Sequence, residues 1–149
     1  MDNATANDRA LVVDDDPEIC ELVSRIMAFR KIETDVAHNG EEAIAYLKMR
    51  NYQLAFLDIM LPDVTGMDLL EHAKAISPST QFFVVSGYVT LLNAMAAMRM
   101  GAFAMVLKPI EDIDAMLVEV DLALGRTRHW RKMFSDLQKL KRAANGGAA

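Results

Sequence analysis

Three consecutive aspartates, Asp14, Asp15 and Asp16, stop the apolar run "ALVV", and three further polar residues close apolar runs downstream. Asp58 ends "YQLAFLD", Ser86 ends "TQFFVVS" and Lys108 follows "FAMVL". Carboxylates held together repel, and each is pushed toward its protonated form unless a cation sits among them. An oxygen-only set of this kind suits Mg²⁺ or Mn²⁺, which keep some waters and share the rest of their coordination with phosphate oxygens. Lys108, with such a metal, would neutralise an anion bound at Asp58. Simpler readings compete at single positions: Asp16, just before Pro17, suits a helix N-cap, and a lysine at a strand end is often only a surface charge. The cap explains Asp16 but leaves Asp14 and Asp15 over. The Lys108-Pro109 bond is open to either isomer at this stage.

These residues meet only if the elements that carry them converge. Short runs rich in β-branched and aromatic residues alternate with segments of helical period, the signature of a βα series of five units. The strands are "ALVVDD", "IETDVAHN", "YQLAFLD", "TQFFVVSG" and "FAMVLKP". The helices are "PEICELVSRIMAF", "EEAIAYLKMR", "MDLLEHAKAI", "VTLLNAMAAMRMG" with Gly101 as its stop, and a long fifth beginning near Glu111 or Asp112. Strands apolar throughout imply burial on both faces, so the sheet is expected to be parallel with helices on each side. Ligands in such sheets bind beyond the carboxyl ends of the strands. Asp14, Asp15, Asp58, Ser86 and Lys108 all belong to that rim.

A chain of 149 residues accommodates one ordinary domain with a full core. Its one cysteine, Cys20, allows no internal disulfide, the start "MDNATANDR" lacks a secretory layout, and no apolar run approaches the roughly 20 residues of a membrane helix. A cytoplasmic protein without a membrane span is expected. Charge is divided unevenly: residues 1–125 hold nine Lys and Arg against twenty Asp and Glu, whereas residues 126–149 hold seven against one. The end of the chain is therefore a different object from the body.

The motifs "LVVDDDPEI", "LDIMLPDVTG", "VVSGY" and "GAFAMVLKPI", in that order and separation, resemble the receiver domain of two-component response regulators over about residues 8–125. The resemblance implies an α/β fold, a (βα)₅ doubly wound parallel five-stranded sheet of flavodoxin-like type, here with an extended C-terminal helix. It implies that Asp58 is the phosphoacceptor, receiving a phosphoryl group from a histidine kinase or a histidine phosphotransfer protein. Asp14 and Asp15 match the acidic pair that holds Mg²⁺, with Asp58 and the Met60 backbone carbonyl as further ligands. Lys108 matches the lysine that pairs with phosphoryl oxygens, and Ser86 the hydroxyl that moves toward them. Such a chain is a phosphoacceptor signalling domain rather than an enzyme acting on a separate substrate, and a downstream effector protein reads its state.

Two departures from the family pattern stand out. Met105 occupies the place of the usual aromatic switch residue. Phe103, two positions earlier, is expected on the same side of its strand and is not given that role. Met60 and Tyr88, which flank the site, offer no carboxylate or amide to orient an attacking water, which points to a long-lived acyl phosphate. Other readings are a phosphate-independent interaction module on the same scaffold, a receiver fragment of a longer transcriptional regulator, and a dehalogenase-type phosphatase, which would want an acid where Met60 stands. A flavodoxin-like cofactor site would find its phosphate repelled by "DDDPE". His38 and His72 read as surface residues, Cys20 as an inert, partly buried thiol, and Met95, Met98 and Met100 as core filling.

Beyond Gly125, Trp130, Met133, Leu137 and Leu140 recur at three- and four-residue spacing among basic residues. The expected organisation is a receiver domain over 1–125, a basic amphipathic helical extension over 126–142 and a disordered tail over 143–149. Pairing into a homodimer through the fourth and fifth helices and the extension is the first reading of this segment, and a charge-driven contact the second. With no helix-turn-helix sequence in the chain, direct DNA binding is not expected.

Overall fold

The computed structural model describes residues 8–146. Five strands, β1 (Arg9–Val13), β2 (Glu33–Ala37), β3 (Leu54–Asp58), β4 (Gln81–Ser86) and β5 (Ala104–Leu107), alternate with α1 (Pro17–Ala28), α2 (Gly40–Met49), α3 (Gly66–Ile76), α4 (Leu91–Arg99) and α5 (Ile113–Gly146). All strand pairs are parallel, in the order β2-β1-β3-β4-β5. The chain winds from β1 to β2 in one direction and from β3 to β5 in the other, so β1 and β3 flank the point where the winding reverses. In open α/β sheets the crevice at that point is where ligands bind.

Side-chain alternation divides the core into two layers. Ala10, Val12, Leu54, Phe56, Phe83 and Val85 face α1 and the first half of α5. Leu11, Val13, Ala55, Leu57, Phe82 and Val84 face α2, α3 and α4. Phe56 stacks on Phe83 at 4.8 Å between ring centroids, and Phe83 meets Phe103 at 5.5 Å. Phe56 and Phe83 are fully buried and each contributes about 1.5–3 kcal/mol of transfer free energy, so with the partly buried Phe103 the aromatic row is a major part of the α1/α5 layer. Phe103 therefore lies on the opposite face from Met105, which packs with the α2–α4 layer. The expectation of one shared side fails because β5 begins only at Ala104, and alternation does not govern the residue ahead of the ladder.

Local chemistry sets the helix starts. Asp16, Asn39, Thr65 and Thr90 each accept a backbone N–H from the first turn of α1, α2, α3 and α4. Asp112 does the same for Ala115 at α5. Gly101 follows α4 with φ of +82°, a left-handed conformation that costs a glycine little and other residues much, and the helix stops there. The helix α5 is continuous through 34 residues, about 51 Å at 1.5 Å per residue. It includes 143–146, which the sequence reading assigned to a disordered tail; residues 147–149 lie outside the described residues. No helix among the described residues is long and apolar enough to cross a membrane.

Candidate functional site

Parallel register brings the rim together. Val13 pairs with Leu57, Asp58 with Val85 and Ser86 with Leu107. Asp14, Asp58, Ser86 and Lys108 thus follow or end four adjacent strands at one edge. Asp14 and Asp58 are buried, Asp15 is exposed, and the three offer carboxylate oxygens within 4.8 Å of one another.

Lys108 spans the pair: its Nζ lies 2.7 Å from Asp14 Oδ2 and 3.1 Å from Asp58 Oδ2. Burial raises the Asp14 carboxyl above its ordinary value, an effect that Lys108 and the Asp16 N–H reduce but do not cancel, and that the Asp58 charge reinforces. Burial alone would lower the Lys108 ammonium, yet its contacts with Asp14 and Asp58 outweigh that and hold it above its ordinary value. Asp14 Oδ1 accepts the Asp16 N–H at 2.9 Å, and Asp58 Oδ1 accepts the Met60 N–H at 3.1 Å. The buried Asp14 Oδ2 is ion-paired with the Lys108 ammonium at 2.7 Å and receives no well-directed hydrogen bond from a described residue. With only hard oxygen donors gathered and one of them under-satisfied, the residues present fit a small divalent cation.

Ser86 is buried at the end of β4, and its hydroxyl turns to the backbone of Tyr88, accepting the N–H at 3.2 Å. Its carbonyl accepts the Lys108 N–H at 2.9 Å, which joins the two strand ends without placing the hydroxyl on Asp58. Met105 is half-buried beneath this corner, while Met60 and Tyr88 are exposed at its mouth. The Lys108-Pro109 peptide is cis. Of the residues set aside, Cys20 is fully rather than partly buried and donates to the Asp14 carbonyl at 3.3 Å. Burial, with the Asp14 and Asp16 charges, pushes its thiol up to about 11, so it stays protonated and unreactive.

Two positioning residues carried no separate signal in the sequence. A Cβ on Gly66 would fall 2.2 Å from the Asp58 carbonyl oxygen, so only glycine lets the loop after β3 close back over the strand end, where the Gly66 N–H donates to Ile59 at 2.7 Å. Asp63, in the same loop, accepts the Gly40 and Glu41 N–H groups at 2.9 and 3.0 Å and so clamps the loop to the start of α2. Those bonds, Gly40 first, hold its carboxyl below its ordinary value. Proline and aspartate in "LPDV" mark a loop, but nothing in their spacing names the helix it is tied to.

The chain is similar to known proteins in sequence and in fold. The family profile described as response regulator receiver domain matches residues 10–121. The response regulator protein PilR of Pseudomonas aeruginosa is 34% identical over 103 residues, covering 69% of this chain and 23% of PilR. The acid tolerance regulatory protein ActR of Rhizobium meliloti is 32% identical over 111 residues, covering 73% of this chain and 57% of ActR. The chain thus spans about a quarter of PilR and just over half of ActR. Among solved structures, a CheY-like receiver domain protein of Methanospirillum hungatei superposes with a TM-score of 0.77 at 31% identity, covering 82% of this chain and 97% of that one. NtrX of Brucella abortus superposes equally at 0.77 with 32% identity, over 88% of this chain and 30% of its own. The match over residues 10–121 takes in most of the chain, and the chain belongs to the response regulator receiver domain family.

Proposed function

We propose that this receiver accepts a phosphoryl group on Asp58 from a histidine kinase or a histidine phosphotransfer protein, with Mg²⁺ or Mn²⁺ as cofactor. The observation that carries the reading is the single ammonium, Lys108, held between two buried carboxylates at 2.7 and 3.1 Å. An Asp58 oxygen attacks phosphorus, a P–O bond forms as the P–N bond to the donor imidazole breaks, and the aspartate becomes an acyl phosphate. Lys108 then pairs with phosphoryl oxygens, a charge-assisted contact where charge develops in the transition state. Asp14, Asp15, Asp58 and the Met60 carbonyl would hold the metal, which would supply positive charge to offset that of the incoming phosphoryl group. Ser86 leaves its Tyr88 contacts to donate to the phosphoryl group, and Met105, a flexible thioether, repacks in its wake.

The changed corner lies beside α4, β5 and α5, and a downstream effector or a second copy of the chain reads it there. Trp130, Met133, Leu137 and Leu140 are all exposed along one stretch of α5, which supports the second copy as a partner. Intact mass after incubation with Mg²⁺ and acetyl phosphate tests the chemistry, with size measured on the same samples. The wild type is expected to gain about 80 Da, one phosphoryl group on a carboxylate, and Asp58→Asn none. No adduct on either protein in the presence of bound Mg²⁺ and a competent kinase favours a phosphate-independent module. Met60 and Tyr88 bring no carboxylate or amide to orient water, so the adduct is expected to outlast the first seconds after donor removal. Its loss within seconds would refute that expectation.

A further inference from the structure

At the end of the sheet away from Asp58, a cleft of 650 Å³ opens between the last turn of α3, the start of β4, the α4–β5 turn and the middle of α5. Lys74, Gln81, Arg126, His129 and Trp130 line it, and no acidic residue among the described residues does. Lys74 donates to the Gly101 carbonyl at 3.1 Å, which fixes its ammonium at the cleft wall. Arg126 rests over the Phe103 ring at 5.8 Å, a contact that orients the guanidinium without neutralising it. Neither cation is ion-paired to a described carboxylate, although the body around them carries a large excess of acid. Arg126, His129 and Trp130, at i, i+3 and i+4, share one face of α5. Trp130 is half exposed and stacks by one side on Phe134 at 5.9 Å.

Two cations and an imidazole N–H line one cleft with no acid among the described residues, and leave several donors for an outside acceptor. Arginine and lysine donors in such a group suit phosphate oxygens, and an exposed indole suits a planar ring. We propose that this cleft binds a nucleotide, its phosphates between Lys74, Arg126 and His129 and its base against Trp130. Because Lys74 and Gln81 belong to the body and Arg126 to Trp130 to the long helix, an occupied cleft would tie the helix to the body. The site is remote from Asp58 and does not depend on phosphorylation.

Trp130 is the chain's one tryptophan, so its fluorescence reads the cleft directly. The full chain, in Mg²⁺-free buffer, is titrated with ATP, adenosine and inorganic pyrophosphate, with calorimetry as a second readout that does not depend on the indole. Saturable binding of ATP at one site per chain is expected, tighter than pyrophosphate, with adenosine weakest. Lys74→Gln with Arg126→Gln should weaken ATP by about tenfold or more, in keeping with the loss of two charge-assisted contacts, while circular dichroism confirms the fold. Trp130→Leu, which keeps the cations, should bring ATP down to the pyrophosphate affinity by calorimetry. No saturable ATP binding, or ATP binding unchanged in the double variant, overturns the site. Equal affinity of the wild type for ATP and pyrophosphate overturns the base contact, and binding of a single-stranded oligonucleotide without any of ATP replaces the small ligand with nucleic acid.

Discussion

Asp14 pays for its position at the acidic rim with stability. Burial is the largest influence on its carboxyl and raises it, so the ionised form is disfavoured in the folded chain relative to the unfolded one. The sign follows directly: the folded protein holds this proton to higher pH than the unfolded chain does, so the penalty is full above the folded value and absent below the ordinary value of 3.8. Asp14→Asn, which keeps an oxygen for the Asp16 N–H, is expected to raise metal-free stability at neutral pH, and the advantage should vanish below pH 3.8. Urea unfolding of both proteins at the two pH values checks it; a variant less stable than wild type at neutral pH would contradict the assignment. Lys108 acts with the opposite sense. Its raised ammonium contributes stability that is complete below its ordinary value of 10.5 and is lost as pH rises through the folded one. The acidic rim was legible because strand ends in a parallel sheet share an edge. The direction of the Ser86 hydroxyl was not, because it depends on the loop backbone at Tyr88 rather than on residue type.

Among the elements, α5 departs furthest from a local reading. Gly125 at its centre and the small residues near its end resemble stopping points, yet the helix crosses both. Tertiary contacts override the weak local preference: Ala123, Leu124 and Thr127 are buried on the body, and the Thr127 hydroxyl is satisfied within the helix by the Ala123 carbonyl at 3.1 Å. One turn further on, Arg131 meets the buried Asp8 carboxylate at 2.9 Å, just ahead of β1. No pattern in the sequence joins positions so far apart, and this link was not anticipated. Arg131 is 44% exposed while the Asp8 side chain is 2% exposed, so its worth lies between that of a surface pair and that of a buried one. Arg131→Ala is expected to cost about 1 kcal/mol, after allowance for solvent screening. Lys132→Ala, which breaks an exposed pair with Asp136 at 3.6 Å, should cost close to nothing. Denaturant unfolding gives both values, and amide exchange in the second half of α5 should quicken only in the first variant. Equal effects would show that the Asp8 contact anchors nothing.

At the scale of the whole molecule, charge is segregated: an acidic body gathers carboxylates at one edge of its sheet, and a basic helix leaves from the other. Folding brings Asp58 to the adjacent pair Asp14 and Asp15, so the three-carboxylate site that could hold a cation exists only in the folded state. An ion that binds the folded chain and not the unfolded one stabilises it by mass action, about 2.7 kcal/mol at a hundredfold excess over its Kd. For a chain of 149 residues this corresponds to a rise in Tm of several degrees, at about 2–4 °C per kcal/mol for domains near this size. Adding Mg²⁺ is therefore expected to raise Tm, and chelation to reverse it. Asp15 separates this effect from general screening of the acidic body, since it is exposed and its loss disturbs no packing. Asp15→Asn should unfold near the wild-type temperature without metal and lose most of the Mg²⁺ shift, while keeping whatever shift Na⁺ produces at matched ionic strength. If Mg²⁺ stabilised the variant as much as the wild type, the ion would be acting on the acidic surface at large, and the three gathered carboxylates would need another explanation.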